Sequence, residues 1–320
     1  MVKGIRKMPD SRLKKILLDW HIYLVLAVFW IVSCAASPFF RTIDTFSTIL
    51  VSAVPIALVG LGQTFVVLSR GFDLSIGAVA GLATAVASVT MHFGIGPSIG
   101  LIIIISLVIG AINGLGVSKL NIDSFVMTLG MMFFLTGVNF LIRPSPGGFI
   151  PGTFKRILLY HVAGFPLVPF LILLLAAIVG ILVLQKRKFG REIYAVGGAP
   201  QSAQMSGVNV DRTRIKVFAV SALSAAMAGL FISARIGSGN AEAGAPYLFD
   251  SFTAVFMGGT LVTGGVGGYR GTVASALIIA SIGQILQFLG ITIWYHFIVK
   301  GLLLAGVAGI QLFIVGRRRA

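Results

Sequence analysis

A nucleophile, a metal or a bound phosphate needs particular side chains at particular spacings, and few of those spacings occur in this chain. The four histidines, His21, His92, His161 and His296, lack the short separations that bring ligands around one metal, so no metal site is expected. Cys34 is the single cysteine, which excludes an internal disulfide and any cysteine cluster. No Gly-x-x-x-x-Gly-Lys-[Ser/Thr] occurs, and no lysine follows a glycine, so the loop that cradles ATP phosphates is missing. Gly264, Gly265, Gly267 and Gly268 lie between apolar stretches, without the strand and helix of a dinucleotide site. Neither catalysis nor a cofactor is expected of this chain.

The remaining polar residues of interest sit in or beside apolar stretches. Asp73 falls in a tight turn, Gly71-Phe72-Asp73-Leu74-Ser75. There a carboxylate caps exposed N–H groups, or acts as a gate or proton group, and Arg70 stands close enough in sequence to neutralise it. Gln63, Asn113 and Asn139 lie within apolar runs. Buried amides of this kind bond a neighbouring helix, and the same three are the candidates for lining a solute path. Lys300, about one turn into the last apolar stretch, is expected to snorkel to the surface.

The elements that must carry these residues follow from composition. Of 320 residues, 57% are hydrophobic and 11% charged, against about a quarter charged in soluble proteins. Continuous apolar runs of roughly 20 residues recur, and in lipid their backbone groups are satisfied internally only by helices. The expectation is an all-α integral membrane protein of about ten transmembrane helices, with spans at 20–38, 46–69, 74–92, 98–117, 124–142, 166–184, 215–235, 249–263, 271–290 and 294–315. Residues 1–19 and 316–320 are then tails flanking one membrane domain, 20–315. With both termini cytoplasmic, 19 of the 25 Lys and Arg residues fall inside, as the positive-inside rule requires. The net charge of +16 reflects those loops rather than nucleic acid. Ile31-Val32-Ser33-Cys34 loosely resembles a lipoprotein cleavage box, but the long leader and the spans that follow favour a retained first helix.

Glycine, at 40 residues, lets membrane helices approach closely, as Gly110, Gly114 and Gly116 would on the fourth span. The span at 249–263 is short and interrupted by Gly258-Gly259, which suits a broken or re-entrant helix. Gly62-Gln63-Thr64-Phe65-Val66 resembles Gly258-Gly259-Thr260-Leu261-Val262, a faint sign of an internal repeat. In the external segment 143–165, Phe154, Ile157, Leu158 and Val162 fall on one side with Lys155 and Arg156 between them. Such a helix lies at the lipid interface, or offers its basic pair to an incoming protein.

The longest cytoplasmic segment, 185–214, is the most informative. Pro200 suits the first position of a helix and Gly207 the residue just past its end. Pro200, Gln201, Ser202, Ala203, Gln204, Met205, Ser206 and Gly207 therefore form about two helical turns between glycines. A helix that short needs packing to hold it. Docking on a partner and lying on the lipid surface fit equally well.

The wording of this segment, Gly190-Arg191-Glu192-Ile193-Tyr194-Ala195-Val196-Gly197-Gly198 followed by the short helix and Ser206-Gly207-Val208-Asn209-Val210, resembles the cytoplasmic coupling loop of ribose-type sugar ABC transporter permeases. Matches continue, in order, at Gly71-Phe72-Asp73-Leu74-Ser75-Ile76-Gly77, Val126-Met127-Thr128-Leu129-Gly130, Ser224-Ala225-Ala226-Met227-Ala228-Gly229 and Gly258-Gly259-Thr260. The resemblance extends from about residue 20 to 315. It implies a permease of the bacterial cytoplasmic membrane that pairs with a second copy or a related permease. Its further partners are ABC ATPase subunits, which hold the ATP and Mg, and an external solute-binding protein that delivers the sugar. Residues 200–207 would then be the contact to the ATPase. Phe72, Leu135-Thr136-Gly137 and Val266-Gly267-Gly268-Tyr269-Arg270 depart from the family pattern, which leaves the solute open: another small solute (an autoinducer-like furanose, a nucleoside or a branched-chain amino acid) is the alternative. A self-sufficient secondary transporter is the competing class, although the paired intramembrane charges common there are scarce here.

Overall fold

The computed structural model describes residues 12–319, and the regular structure among them is helical. The helices are α1 (Arg12–Ala36), α2 (Ile43–Leu68), α3 (Ile76–Thr90), α4 (Ile95–Ser118), α5 (Ser124–Ile142), α6 (Gly152–Leu158), α7 (Leu167–Lys186), α8 (Lys188–Gly198), α9 (Pro200–Met205), α10 (Val210–Ile236), α11 (Ala245–Met257), α12 (Tyr269–Phe288) and α13 (Ile293–Arg319). Seven of them, α2, α3 with the turn after it, α4, α5, α7, α10 and α12, are long and apolar enough to cross a membrane. This is an all-α membrane protein.

The bundle has a centre and a rim. The membrane-length windows of α2, α3 and α10 are 83%, 78% and 78% buried, whereas those of α4, α5 and α7 are only 28%, 17% and 28% buried. Rim helices thus turn large apolar side chains such as Ile104, Phe133, Phe134 and Leu175 outward, which suits a lipid solvent and no aqueous one. α10 crosses α2, α3 and α4 at the centre. Glycines permit that closeness: a methyl group at Gly110 would fall 2.6 Å from the Phe218 carbonyl oxygen, and one at Gly114 2.5 Å from Ile215 Cα. Gly116 instead faces Met127 on α5. Side chains mark several helix starts, with Thr42 accepting from Thr45 N–H, Asp123 from Phe125 N–H and Asn209 from Arg212 N–H.

Several expectations from sequence need correction. Helix α1 begins at Arg12 and α13 runs to Arg319, so the two expected tails are partly helical; Gly316 lies within α13 without ending it. The span expected at 249–263 stops at Met257, where Gly258-Gly259 ends the helix and Gly259, Gly264 and Gly265 take positive φ. Its 13 residues reach only about 20 Å, short of the roughly 30 Å hydrocarbon core. The two resembling pentapeptides are not structurally equivalent, because Gly62–Val66 lie inside α2 whereas Gly258–Val262 form the turn after α11. In the segment 143–165 only α6 is helical; Phe154 is buried, but Ile157 and Val162 are exposed. Helix α8 was not expected, since Gly190, Gly197 and Gly198 are poor helix formers. Packing explains two of them: Cβ atoms at Gly190 and Gly197 would collide with the carbonyls of Leu184 and Leu68.

Candidate functional site

One end of the bundle gathers α8, α9 and the turns that join α2 to α3 and α11 to α12. Helix α9 projects from it. Of its residues only Ala203 is buried; Gln201, Ser202, Gln204, Met205, Ser206 and Gly207 are exposed and Pro200 is half-buried, with Met205 89% exposed. Among the described residues this unbranched apolar side chain is left out of the packing. The helix ends as its glycine requires, with Gly207 at φ +83° and Val208 N–H donating to Ala203 O at 3.0 Å. Beside α9, Asn121, Gln201, Gln204, Asn209, Asp211 and Arg214 line a polar groove.

α9 is tied to the membrane helices through Arg70. This residue sits in the left-handed region at φ +65°, and its side chain leaves the Asp73 turn altogether. Nη2 donates to Gly198 O at 2.6 Å, just before α9, and Nε donates to Thr263 O at 3.1 Å. Arg70 therefore does not neutralise Asp73, contrary to expectation; it joins three loops. Gly265 N–H donates to Leu68 O at 2.9 Å, and the Tyr194 hydroxyl to Gly267 O at 2.8 Å. A displacement of α9 would reach the ends of α2, α11 and α12 through these bonds.

Asp73 is buried in the α2–α3 turn. Oδ1 accepts from Ser75 N–H at 3.0 Å and from the Ser75 hydroxyl at 2.6 Å, while Oδ2 accepts from the Ser221 hydroxyl of α10 at 2.7 Å. Burial raises its pKa, opposed by those hydrogen bonds from Ser221 and Ser75. Asn113 of α4 donates to the Ser75 hydroxyl at 2.9 Å. Asp73 and Asn113 thus belong to one network that ties the turn to α10 and α4.

The other two amides are not brought into it. Asn139 of α5 donates to Ala78 O at 3.0 Å and to Ala241 O at 3.4 Å. Gln63 of α2 is fully buried, and neither its Nε2 nor its Oε1 has a hydrogen-bond partner among the described residues.

Sequence reasoning missed Asp250 and misplaced Lys300. Lys300 Nζ lies 2.8 Å from Asp250 Oδ2, with the two side chains 22% and 3% exposed. It points into the bundle toward α11 and does not snorkel, because the carboxylate compensates its charge there. The available signal was one acidic and one basic residue, each alone in an apolar stretch.

A family model described as branched-chain amino acid transport system / permease component matches residues 45–308. The chain belongs to this permease family. It is 33% identical over 302 residues to the ribose import permease protein of Haemophilus influenzae, covering 92% of this chain and 93% of the relative. It is 32% identical over 302 residues to the galactose/methyl galactoside import permease protein of the same organism, covering 88% and 90%. With the ribose import permease protein of Escherichia coli K12 it shares 31% identity over 295 residues, covering 90% and 92%. No solved structure matches this permease.

Proposed function

We propose that this chain is the membrane-spanning permease subunit of an ATP-driven sugar importer in the bacterial cytoplasmic membrane. The observation that carries the reading is the nearly full-length similarity to ribose and galactose import permeases. The exposed α9 with its outward Met205 supports it, because such a surface suits a docking partner. In this reading α1, α11 and α13 cross or enter the membrane beside the seven long apolar helices, giving about ten passes with both termini and α9 cytoplasmic. The chain pairs with a second copy or a related permease, receives sugar from an external binding protein, and leaves ATP and Mg to partner ATPase subunits.

Closure of the ATPase subunits pushes on α9. Arg70 and the loop 258–268 pass that movement to α2, α11 and α12, and the Asp73 network carries it to α4 and α10. The paired permeases then exchange outward and inward openings. The two states must differ by only a few kcal/mol, with nucleotide favouring one of them. The test is co-purification of the solubilised chain with its ATPase and binding protein, followed by ATP hydrolysis in liposomes. Stimulation by ribose or galactose supports the importer. Solute movement by the chain alone, without an ATPase, would instead make it a secondary transporter.

A further inference from the structure

At the end of the bundle away from α9, a cavity of about 420 Å³ lies among α2, α10, α11, α12 and α13, within the roughly 300–1,000 Å³ usual for small-molecule sites. Ile56, Ile232 and Ile279 supply apolar wall, and Asp250, Lys300 and Gln284 supply polar groups. Asp250 is 2% exposed. Its Oδ2 is taken by Lys300, but its Oδ1 has no hydrogen-bond partner among the described residues. A buried charged acceptor left unpaired is costly, so a donor entering the cavity would be held strongly.

We propose that this cavity is a binding subsite for a neutral polyhydroxylated solute of monosaccharide size. The Asp250–Lys300 pair balances its own charge, and Arg235, also in the lining, donates to the Ser52 hydroxyl at 3.1 Å, so the wall adds a further donor and carries no excess negative charge that would call for a cationic ligand. What the wall presents is a carboxylate acceptor, ammonium donors beside it and an amide that does both, and adjacent hydroxyls of a sugar match that mixture. Tyr247, also in the lining, offers an aromatic surface to the apolar face of a sugar ring. The choice of sugar as solute rests on the importer reading; the location of the subsite rests on the cavity.

The test uses the full chain in lipid nanodiscs with Cys34→Ala and Gln287→Cys, an exposed lining position given no binding role, labelled with a membrane-impermeant maleimide. D-ribose or D-galactose is expected to slow labelling about tenfold or more, the scale of one charge-assisted hydrogen bond, and L-leucine is not. Adding Asp250→Asn should abolish the protection; if that variant does not fold, Thr48→Val at the rim serves instead, with severalfold weaker protection expected. A cysteine at 287 that never labels, labelling that neither sugar slows, or protection by L-leucine instead overturns the subsite. Sugar-stimulated ATP hydrolysis of the assembled transporter separates the two claims: stimulation without protection removes the subsite and leaves the importer, whereas L-leucine acting in both assays removes the sugar.

Discussion

Two ion pairs of nearly equal length stand in opposite surroundings. Lys119 Nζ and Asp211 Oδ2 are 2.7 Å apart near α9, with side chains 59% and 39% exposed. Lys300 and Asp250 are 2.8 Å apart away from α9, and far less exposed. Water competes with the first and scarcely with the second, so length says little about what each contributes. The difference extends to the regions around them. At the α9 end, Arg70, Tyr194 and Gly265 bond to backbone carbonyls among the loops, contacts that can shift without parting an ion pair. The Asp250 end places a charge pair beside a cavity, where a rearrangement that parts the pair is expensive and a ligand that bridges it is rewarded.

The largest effect should come from breaking the buried pair on one side. Lys300→Met leaves Asp250 uncompensated and is expected to cost about 3–5 kcal/mol, read as lower thermal stability of the purified chain in detergent. Asp250→Asn with Lys300→Met should recover most of that loss. A single variant as stable as the parent would show that the two ends do not differ as described.

Gln63 sharpens the contrast from the packed centre. Replacing an unpaired buried amide with a similarly sized apolar side chain, Gln63→Leu, should raise stability by about 1–3 kcal/mol. A structural role alone leaves transport unchanged, whereas a role on the solute path gives a more stable chain that transports poorly. Equal or lower stability would show that Gln63 is bonded after all.

At the α9 end, Arg70→Ala removes two donors to Gly198 and Thr263. Sugar-stimulated ATP hydrolysis should fall about tenfold while solute binding persists; unchanged stimulation would remove Arg70 from the relay. Smallest of all, Lys119→Met should change stability by about 1 kcal/mol or less.

How much was legible in advance depended on the kind of interaction. Apolar runs mark the long helices directly, since length and hydropathy decide membrane crossing, and the Pro200 and Gly207 punctuation located α9 to within a residue. Helix α8 was hidden because Gly190 and Gly197 argue against a helix locally and are there for contacts with Leu184, across a turn, and Leu68, distant in the chain. Arg70 was misassigned to Asp73 by sequence proximity, although its partners are more than a hundred residues away. Asp250 and Lys300 are 50 residues apart, and only the packing of α11 on α13 reveals them as a pair.

The central claim, that α9 is the surface on which an ATPase subunit docks, is tested most directly by site-specific cross-linking in the Cys34→Ala chain co-purified with its ATPase. Cysteines at Gln201, Gln204 and Met205 should cross-link to the ATPase, and a cysteine at Lys155 on exposed α6 should not. Failure of all three α9 positions, or an ATPase cross-link from position 155, would contradict the account.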